Sequence, residues 1–215
     1  MTRSEYYDEM RRLANEQRSL FNLSSVRVTL TDLRKIFKHH DISISLWPMP
    51  GISGDHTKKI KGAYMHVDGQ PSVLISRRLP DEQRIFTMAH ELKHHLADYD
   101  DAAKGITCQF EGATDAKEIA AEVFAAELIY PDTIFISDMS ARSIAQGACT
   151  DRDIVSLKRS TNTTLSFTSL AKKATFLGYA PKGSFDKVKW KKLEEEMFGE
   201  PLYKRINRYR QFSRN

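Results

Sequence analysis

The sequence predicts an α+β fold with several helices, a small antiparallel or mixed sheet and a helical C-terminal segment. Residues 4–21, 79–98 and 115–130 each have the apolar spacing or composition of a helix. Between the first two of these segments, short apolar stretches flank the dipeptide Asp68-Gly69, which is typical of a tight hairpin turn. A length of 215 residues is sufficient for one domain with a sizeable core, or for such a domain with an appendage.

The N-terminal part is expected to form two helices followed by a strand. Residues 4–21 are amphipathic, and Ser4 is expected to cap the N-terminus of this first helix. A second helix is predicted where four apolar residues follow helical spacing, namely Leu30, Leu33, Ile36 and Phe37. Residues 42–46 alternate apolar and polar side chains, which predicts a half-buried strand that ends at Pro48.

A loop and a hairpin are predicted next. Residues 51–62 are polar and rich in Gly and Lys, which predicts a mobile loop. Residues 62–76 predict the hairpin, and its second arm contains the apolar run Val73-Leu74-Ile75, which favours burial on both faces. Pro80 and the acidic pair after it then mark the start of a helix.

The chain is expected to divide into three regions. Residues 1–40 hold the N-terminal helices, residues 41–136 form the core, and residues 137–215 form a helical region with a basic tail. Within the core, residues 99–114 predict a polar connection, and Pro131 ends the helix that follows it.

Composition excludes some classes of protein. No apolar run approaches the ~18–20 residues that span a bilayer, and the charged N-terminus lacks the apolar centre of a secretory signal. The only two cysteines, Cys108 and Cys149, do not indicate a disulfide framework, so a cytoplasmic location is expected. A net charge of +5 and a pI near 9.1 favour nucleic acid or acidic partners only weakly.

The segment FTMAHELKHHL at residues 86–96 contains the pattern His-Glu-x-x-His. His90 and His94 are four residues apart, so on a helix both imidazoles face one point, and Glu91 lies beside them. This pattern is typical of zinc peptidases, in which the histidines bind Zn²⁺ and the glutamate is the general base. An apolar stripe on another face would bury one side of the helix and leave the histidines facing a cleft. The alternative is an amphipathic helix whose histidines are merely solvated.

A catalytic zinc site needs a third protein ligand. The extended motif with a glycine and a third histidine is excluded, because Ala97 and Asp100 stand at those offsets. The next predicted helix offers Glu118 and Glu122, one turn apart on one face. We favour Glu118 as the ligand, with Glu122 hydrogen-bonded to a metal-bound histidine or serving as the alternative ligand. Glu118 could instead form a capping box with Asp115, and Glu122 could be a surface residue or an ion-pair partner.

Two blocks in order, FTMAHELKH at residues 86–94 and EIAAEVFAAELIYP at residues 118–131, carry a family resemblance. The sequence resembles the ImmA/IrrE family of zinc metallopeptidases, and the matched pieces extend over about half of the chain. The resemblance implies a zincin-like metallopeptidase core in which the small sheet packs on the His-Glu-x-x-His helix. It also implies a gluzincin-like site, with His90, His94 and Glu118 as zinc ligands and Glu91 as catalytic base. Glu122 departs from the Asn or Asp that such proteins often carry at this position.

The resemblance further implies a substrate, because relatives commonly cleave a helix-turn-helix transcriptional repressor and so derepress mobile-element or stress genes. One alternative is a non-catalytic anti-repressor or toxin–antitoxin partner with a structural zinc site. Another is a DNA-binding regulator that uses the basic tail. His95, Tyr99 and Tyr130 are candidates by type for stabilising an oxyanion, and none is preferred. The four remaining histidines are expected at the surface or in loops: His39, His40, His56 and His66.

The C-terminal region contains two helical patterns around a Ser/Thr/Asn turn, within residues 153–181. This arrangement is similar to a helix-turn-helix, but packing against the core is favoured over DNA recognition. Residues 182–215 combine basic and aromatic side chains, interrupted by the acidic run Glu194–Glu196. We hypothesise that this tail docks the repressor or its DNA complex, and deletion of residues 182–215 without any change in repressor cleavage would refute that.

Overall fold

A computed structural model describes residues 2–47, 61–99, 115–201 and 204 of the protein. Eight helices lie within these residues: α1 Arg3–Leu20, α2 Leu30–His39, α3 Asp81–Ala97, α4 Asp115–Ile129, α5 Asp132–Ala141, α6 Asp151–Thr161, α7 Phe167–Phe176 and α8 Trp190–Phe198. The same part of the chain contains three strands: β1 Ser43–Trp47, β2 Gly62–Val67 and β3 Gln70–Ser76. The predicted α+β class with a small mixed sheet is therefore confirmed.

The three strands form one sheet in the order β1-β3-β2. β2 and β3 are the antiparallel arms of the predicted hairpin, and Asp68 and Gly69 at its tip have φ of 51° and 77°. Positive φ at both central residues is what a two-residue hairpin turn of type I′ requires. β1 pairs in parallel with β3, so the apolar second arm is the central strand, with Val73 and Ile75 fully buried.

The helix α3 is the centre of the site-bearing part of the molecule. It packs against β2 and β3, and also contacts α2 and α4. Because these neighbours surround it, the face that carries Glu91 and His94 is buried rather than open, with only 6% and 2% of the two residues exposed. The predicted apolar stripe is buried at Ile85, Met88 and Leu92, and Glu91 and His94 are buried as well.

The first two helices begin with capping boxes. Thr2 caps α1 and exchanges hydrogen bonds with Glu5, and Thr29 does the same with Asp32 at the start of α2. The prediction that Ser4 caps the first helix is wrong, since Ser4 lies inside α1. Thr2 is preferred because only it has the glutamate three residues later that completes the box.

A buried arginine joins α1 to the C-terminal end of α4. Arg18 is 6% exposed, and its guanidinium donates to the carbonyl oxygens of Leu128 at 2.7 Å and Ser25 at 3.2 Å. The last carbonyls of a helix have no partner within the helix, so Arg18 satisfies one at the end of α4. Beside it, the buried Glu127 accepts hydrogen bonds from Asn15 Nδ2 at 2.9 Å and from the backbone N–H of residue 132 at 3.0 Å.

The chain separates into two compact units, residues 1–136 with 162–166 and residues 137–161 with 167–215. In the second unit α6 packs against α7 and α8, so the two helices predicted around the Ser/Thr/Asn turn are present. The turn itself groups with the first unit, where the hydroxyls of Thr163 and Thr164 donate to the carbonyls of Val26 and Val28. No helix in the described part of the chain combines the length and the apolarity that crossing a membrane requires.

Several predictions concern residues outside the described part of the chain. They are the loop at 51–60, residues 100–114 of the polar connection, His56, Cys108, the strand end at Pro48 and most of the basic tail after residue 201. The three-region division of the chain stays a prediction.

Candidate metal centre

Three side chains from α3 and α4 meet in the first unit. His90 Nε2 lies 3.2 Å from Glu118 Oε2 and 3.3 Å from His94 Nε2. His94 Nε2 lies 3.7 Å from the other carboxylate oxygen of Glu118. Among the described residues, only these three side chains bring potential ligand atoms within 4.8 Å of one another as a group of three. The structure therefore brings the three predicted ligands together.

Local sequence explains how the three groups converge. His90 and His94 are separated by one turn of α3, which places both imidazoles on one side of the helix. Glu118 lies in the first turn of α4, where the small residues Ala121 and Ala125 are fully buried one and two turns later. Small side chains allow α4 to approach α3 closely, and this brings the Glu118 carboxylate to the histidines.

Sequence analysis did not identify a buried carboxylate that contacts His94 Nδ1, the ring nitrogen that does not face the other ligand atoms. Asp98 is 9% exposed and its Oδ2 lies 2.7 Å from His94 Nδ1. A hydrogen bond from Nδ1–H to a carboxylate leaves Nε2 as the nitrogen that can bind a metal. The same Asp98 oxygen accepts a 2.5 Å hydrogen bond from Lys93 Nζ, and Lys93 is completely buried. The available signal was the position of Asp98, four residues after the second histidine of the motif.

Burial, hydrogen bonds and neighbouring charges shift the pKa values of the groups around the three ligand atoms. Burial alone would lower the pKa of His90, but the hydrogen bond to Glu118 and the charges of Glu91, Glu118 and Glu122 raise it above its ordinary value. Burial is the main reason that the pKa of His94 is lowered. Burial opposes ionisation of Asp98, yet the hydrogen bonds from His94 and Lys93 outweigh it and lower the pKa of that carboxyl.

The carboxyl group of Glu91 lies on the side of α3 that faces β2. Burial raises the pKa of Glu91 to about 7, and the charge of Glu118 acts in the same direction. The backbone N–H of Tyr64 donates a hydrogen bond to Glu91 and opposes the rise. A Cβ atom on Gly62 would lie 2.9 Å from Glu91 Oε1 and 2.4 Å from Thr87 Cγ2. Only glycine allows the start of β2 to lie this close to the carboxylate.

The donor set fits a divalent transition metal. Two imidazole nitrogens and one carboxylate are the three protein ligands of many catalytic sites that keep a fourth position open. Ligand atoms that are ~2.0–2.2 Å from a tetrahedral ion lie roughly 3.3–3.6 Å apart. The two imidazole nitrogens, 3.3 Å apart, and the 3.2 Å between His90 Nε2 and Glu118 Oε2 are close to this spacing. His94 Nε2 lies 3.7 Å from the other oxygen of the same carboxylate. These residues could therefore hold such an ion without a large rearrangement.

Glu122 does not join the group of three. Its side chain is exposed, whereas Glu118 is half-buried between the helices, although the charge of Glu122 still acts on His90. The competing capping box involves the side chain of Asp115, which lies outside the described residues. The assignment of Glu118 as ligand and Glu122 as a supporting or alternative ligand stays a prediction.

A second group of aromatic and imidazole rings, which we call the histidine–tyrosine cluster, consists of His40, Tyr64, His66, His95 and Tyr99. The Tyr64 hydroxyl lies 3.0 Å from His95 Nδ1 and 3.0 Å from His66 Nε2. Tyr99 contacts the rings of His66 and His95, and His40 contacts His95. Burial lowers the pKa of His95 to about 4, so the ring is neutral at pH 7.

The structure places the histidines that were expected at the surface or in loops, and the candidates for stabilising an oxyanion. His40 and His66, which were expected at the surface or in loops, are half-buried, while His39 is exposed. Of the candidates for an oxyanion-stabilising group, His95 is bonded to Tyr64, and Tyr130 is fully buried against Phe135. The described contacts give none of these candidates a place at the three ligand atoms.

Part of the chain is similar to a known family of proteins. A family model of peptidases, Peptidase_M78, described as an IrrE N-terminal-like domain, matches residues 38–144. A solved Mycobacterium tuberculosis transcriptional regulator is similar in fold, with a TM-score of 0.50 and 19% sequence identity. The similarity covers 85% of this chain and 53% of the regulator, so the chain spans about half of that protein's length. A search of curated proteins finds no match to the chain.

Proposed function

Because the chain belongs to the ImmA/IrrE peptidase family through residues 38–144, we propose that it is a zinc-dependent endopeptidase. The observation that carries the proposal is the juxtaposition of two features on α3. His90 and His94 converge with Glu118, and the adjacent Glu91 is a buried carboxyl group with a pKa of about 7. A structural metal site would require the first feature but not the second.

Zinc is the ion that this donor set favours, since histidine nitrogens and a carboxylate are its usual ligands in peptidases. His90, His94 and Glu118 would hold it, and Asp98 would orient His94. The chemistry that zinc supplies when bound is Lewis acidity toward a water molecule and toward the scissile carbonyl.

Glu91 is the proposed general base. Its carboxylate takes a proton from the attacking water and passes it to the nitrogen of the leaving amine. Burial raises the pKa of this carboxyl above its ordinary value, which makes the carboxylate a stronger base toward the proton of the water. The Tyr64 N–H and the close approach of β2 at Gly62 hold the carboxyl group in place.

The proposed substrate is a helix-turn-helix transcriptional repressor in the cytoplasm, whose cleavage derepresses mobile-element or stress-response genes. This substrate class is supported by the family resemblance. Direct binding of DNA by the chain is the less favoured alternative, because acidic residues 194–196 interrupt the basic segment.

The test compares the wild-type chain with Glu91→Gln and Glu82→Gln. Glu82 is an exposed carboxylate at the start of the same helix and serves as the matched control. Bound metal is quantified in all three proteins, and each is incubated with the helix-turn-helix repressor encoded by the neighbouring gene. We expect all three to bind zinc, and the Glu91→Gln variant to lose about 10²–10⁴-fold in cleavage rate.

The same proteins distinguish the main alternative, a non-catalytic anti-repressor or toxin–antitoxin partner with a structural zinc site. If Glu91→Gln relieves repression in cells as well as the wild type does, binding alone explains the function and the peptidase proposal is wrong. Loss of derepression together with retained metal supports the peptidase.

A further inference from the structure

We propose that Lys93 is a positioning residue of the metal centre, which acts through Asp98 to fix the orientation of His94. The inference rests on the proposed function, since it concerns the same site, and it assigns a role to the fourth residue of the His-Glu-x-x-His motif. That position is variable in the motif and carries no role in it. Here it is occupied by a completely buried cation.

The burial of Lys93 requires an explanation. A charged side chain taken out of water is costly unless it is paired and hydrogen-bonded. Lys93 is 0% exposed, and its Nζ lies 2.5 Å from Asp98 Oδ2. That oxygen is the one that lies 2.7 Å from His94 Nδ1. Lys93 and His94 therefore share one acceptor atom, and a shift of Asp98 toward or away from Lys93 would change the hydrogen bond that orients the ring of His94.

Lys93 also contacts the other elements around the centre. Its Nζ lies 3.5 Å from the carbonyl oxygen of Lys117, the residue that precedes Glu118 in the first turn of α4. The Tyr6 ring of α1 lies 5.6 Å from the same nitrogen, in a cation–π contact. A single ammonium group thus connects the second ligand histidine, through Asp98, with the backbone beside the third ligand.

A purely structural ion pair would explain burial but not this arrangement. Breaking a buried pair lowers the stability of a protein wherever the pair lies. A positioning pair must in addition change the affinity for metal in protein that is still folded. Removal of groups that orient metal ligands typically lowers metal affinity by about 10–100-fold. Metal affinity and stability are therefore measured separately.

The variants are Lys93→Met, Asp98→Asn and the double variant, with Arg11→Met as the matched control. Arg11 of α1 pairs with Asp132 of α5 at 3.0 Å in the same unit, and neither of these helices carries one of the three ligand side chains. Metal-free protein is titrated with Zn²⁺ in competition with a chelating indicator. Bound Co²⁺ is examined by visible absorption, which reports the ligand geometry. Urea unfolding of the metal-free proteins measures stability.

We expect Lys93→Met and Asp98→Asn each to weaken Zn²⁺ binding by about 10–100-fold and to alter the Co²⁺ spectrum. The double variant should be no weaker than the weaker single variant, because both residues act through one hydrogen bond. Arg11→Met should lower stability and leave the affinity unchanged.

Wild-type affinity in folded Lys93→Met would overturn the inference, and so would affinity losses that add in the double variant. Should Lys93→Met fail to fold, Lys93→Gln, which keeps a hydrogen-bond donor, replaces it under the same criteria. Because the readout is metal affinity, the result decides the inference whether or not the wild type cleaves a repressor.

Discussion

His94 and His95 are neighbours in the sequence of α3, and they belong to two different kinds of site. His94 lies between the Asp98 carboxylate at 2.7 Å and the Glu118 carboxylate at 3.7 Å. His95 instead lies 3.0 Å from the Tyr64 hydroxyl and is surrounded by rings of the histidine–tyrosine cluster. One histidine is placed among carboxylates and the other among tyrosine and imidazole rings.

The comparison shows that the number of histidines does not define a metal centre. The histidine–tyrosine cluster contains three imidazoles and the candidate metal centre only two. The two imidazoles of the metal centre, however, contact the carboxylates of Glu118 and Asp98. Carboxylates fix the tautomer of a histidine and balance the charge of a bound cation. We therefore expect changes in the metal centre to alter metal binding and catalysis, and changes in the cluster to alter stability.

The largest effect is expected from Glu118→Gln, compared with Glu122→Gln one turn later. Loss of a group that supports a ligand typically weakens metal binding by about 10–100-fold. Loss of the ligand itself, in Glu118→Gln, should weaken Zn²⁺ binding by more than this. Glu122→Gln should change the affinity only a few-fold, since its side chain is exposed and outside the group of three. Competition with a chelating indicator measures both affinities. The reverse order of the two variants would exchange the roles of the two glutamates.

A second prediction concerns β2, which belongs to both regions. Gly62→Ala would place a Cβ atom 2.9 Å from Glu91 Oε1, so the strand or the carboxylate must move. A displacement of about 1 Å at a reacting group can lower the rate by about 100-fold. We expect kcat for repressor cleavage to fall by that order while Zn²⁺ affinity is retained. An unchanged kcat would show that β2 does not position the general base.

A smaller effect is expected from Tyr64→Phe, which removes the hydroxyl that bonds to His66 and His95. Unpaired polar groups in a buried place cost about 1–3 kcal/mol. Urea unfolding should show a loss of this size, and Zn²⁺ affinity should be the same as in the wild type. A marked loss of metal binding would instead connect the histidine–tyrosine cluster to the metal centre.

The smallest effect is a pH dependence that arises from His40. Burial, with a contribution from the charge of His39, lowers the pKa of His40 below its ordinary value of 6.5. As the pH falls, the unfolded chain therefore binds a proton at a higher pH than the folded chain does. The contribution of His40 to the free energy of unfolding is fully present above pH 6.5 and is lost as the pH falls below it. His40→Gln should reduce the loss of stability between pH 7 and pH 5.5. A titration of the His40 ring by NMR with a midpoint at or above 6.5 would contradict this.

Local sequence signals were sufficient to predict many of the helices and strands and to place the two histidines of the site together. The Asp68-Gly69 turn, the helix that begins after Pro80 and the helix that ends before Pro131 all depend on neighbouring residues, and all are present. His90 and His94 could be placed together because one helical turn separates them.

The rest depends on contacts between residues distant in sequence. The parallel pairing of β1 with β3 and the contact of Tyr64 with His95 leave no pattern in a single sequence. The sequence analysis makes no prediction for Lys93, since a lysine on a helix is ordinarily exposed and only the folded chain shows it buried beside Asp98. The sequence analysis favours Glu118 over Glu122, but the distances from Glu118 to the two histidines depend on the position of α4 against α3.

The buried Arg18 has a consequence for where an independently folding peptidase begins. The family match starts at residue 38, after α1 has ended, and α1 supplies none of the three predicted ligands. Yet Arg18 completes the hydrogen bonding at the end of α4, and Tyr6 covers the ammonium of Lys93. A chain shortened to residues 38–144 would leave the Leu128 carbonyl and a buried cation without these contacts. The smallest stable fragment that retains the site is therefore expected to begin at the N-terminus of α1.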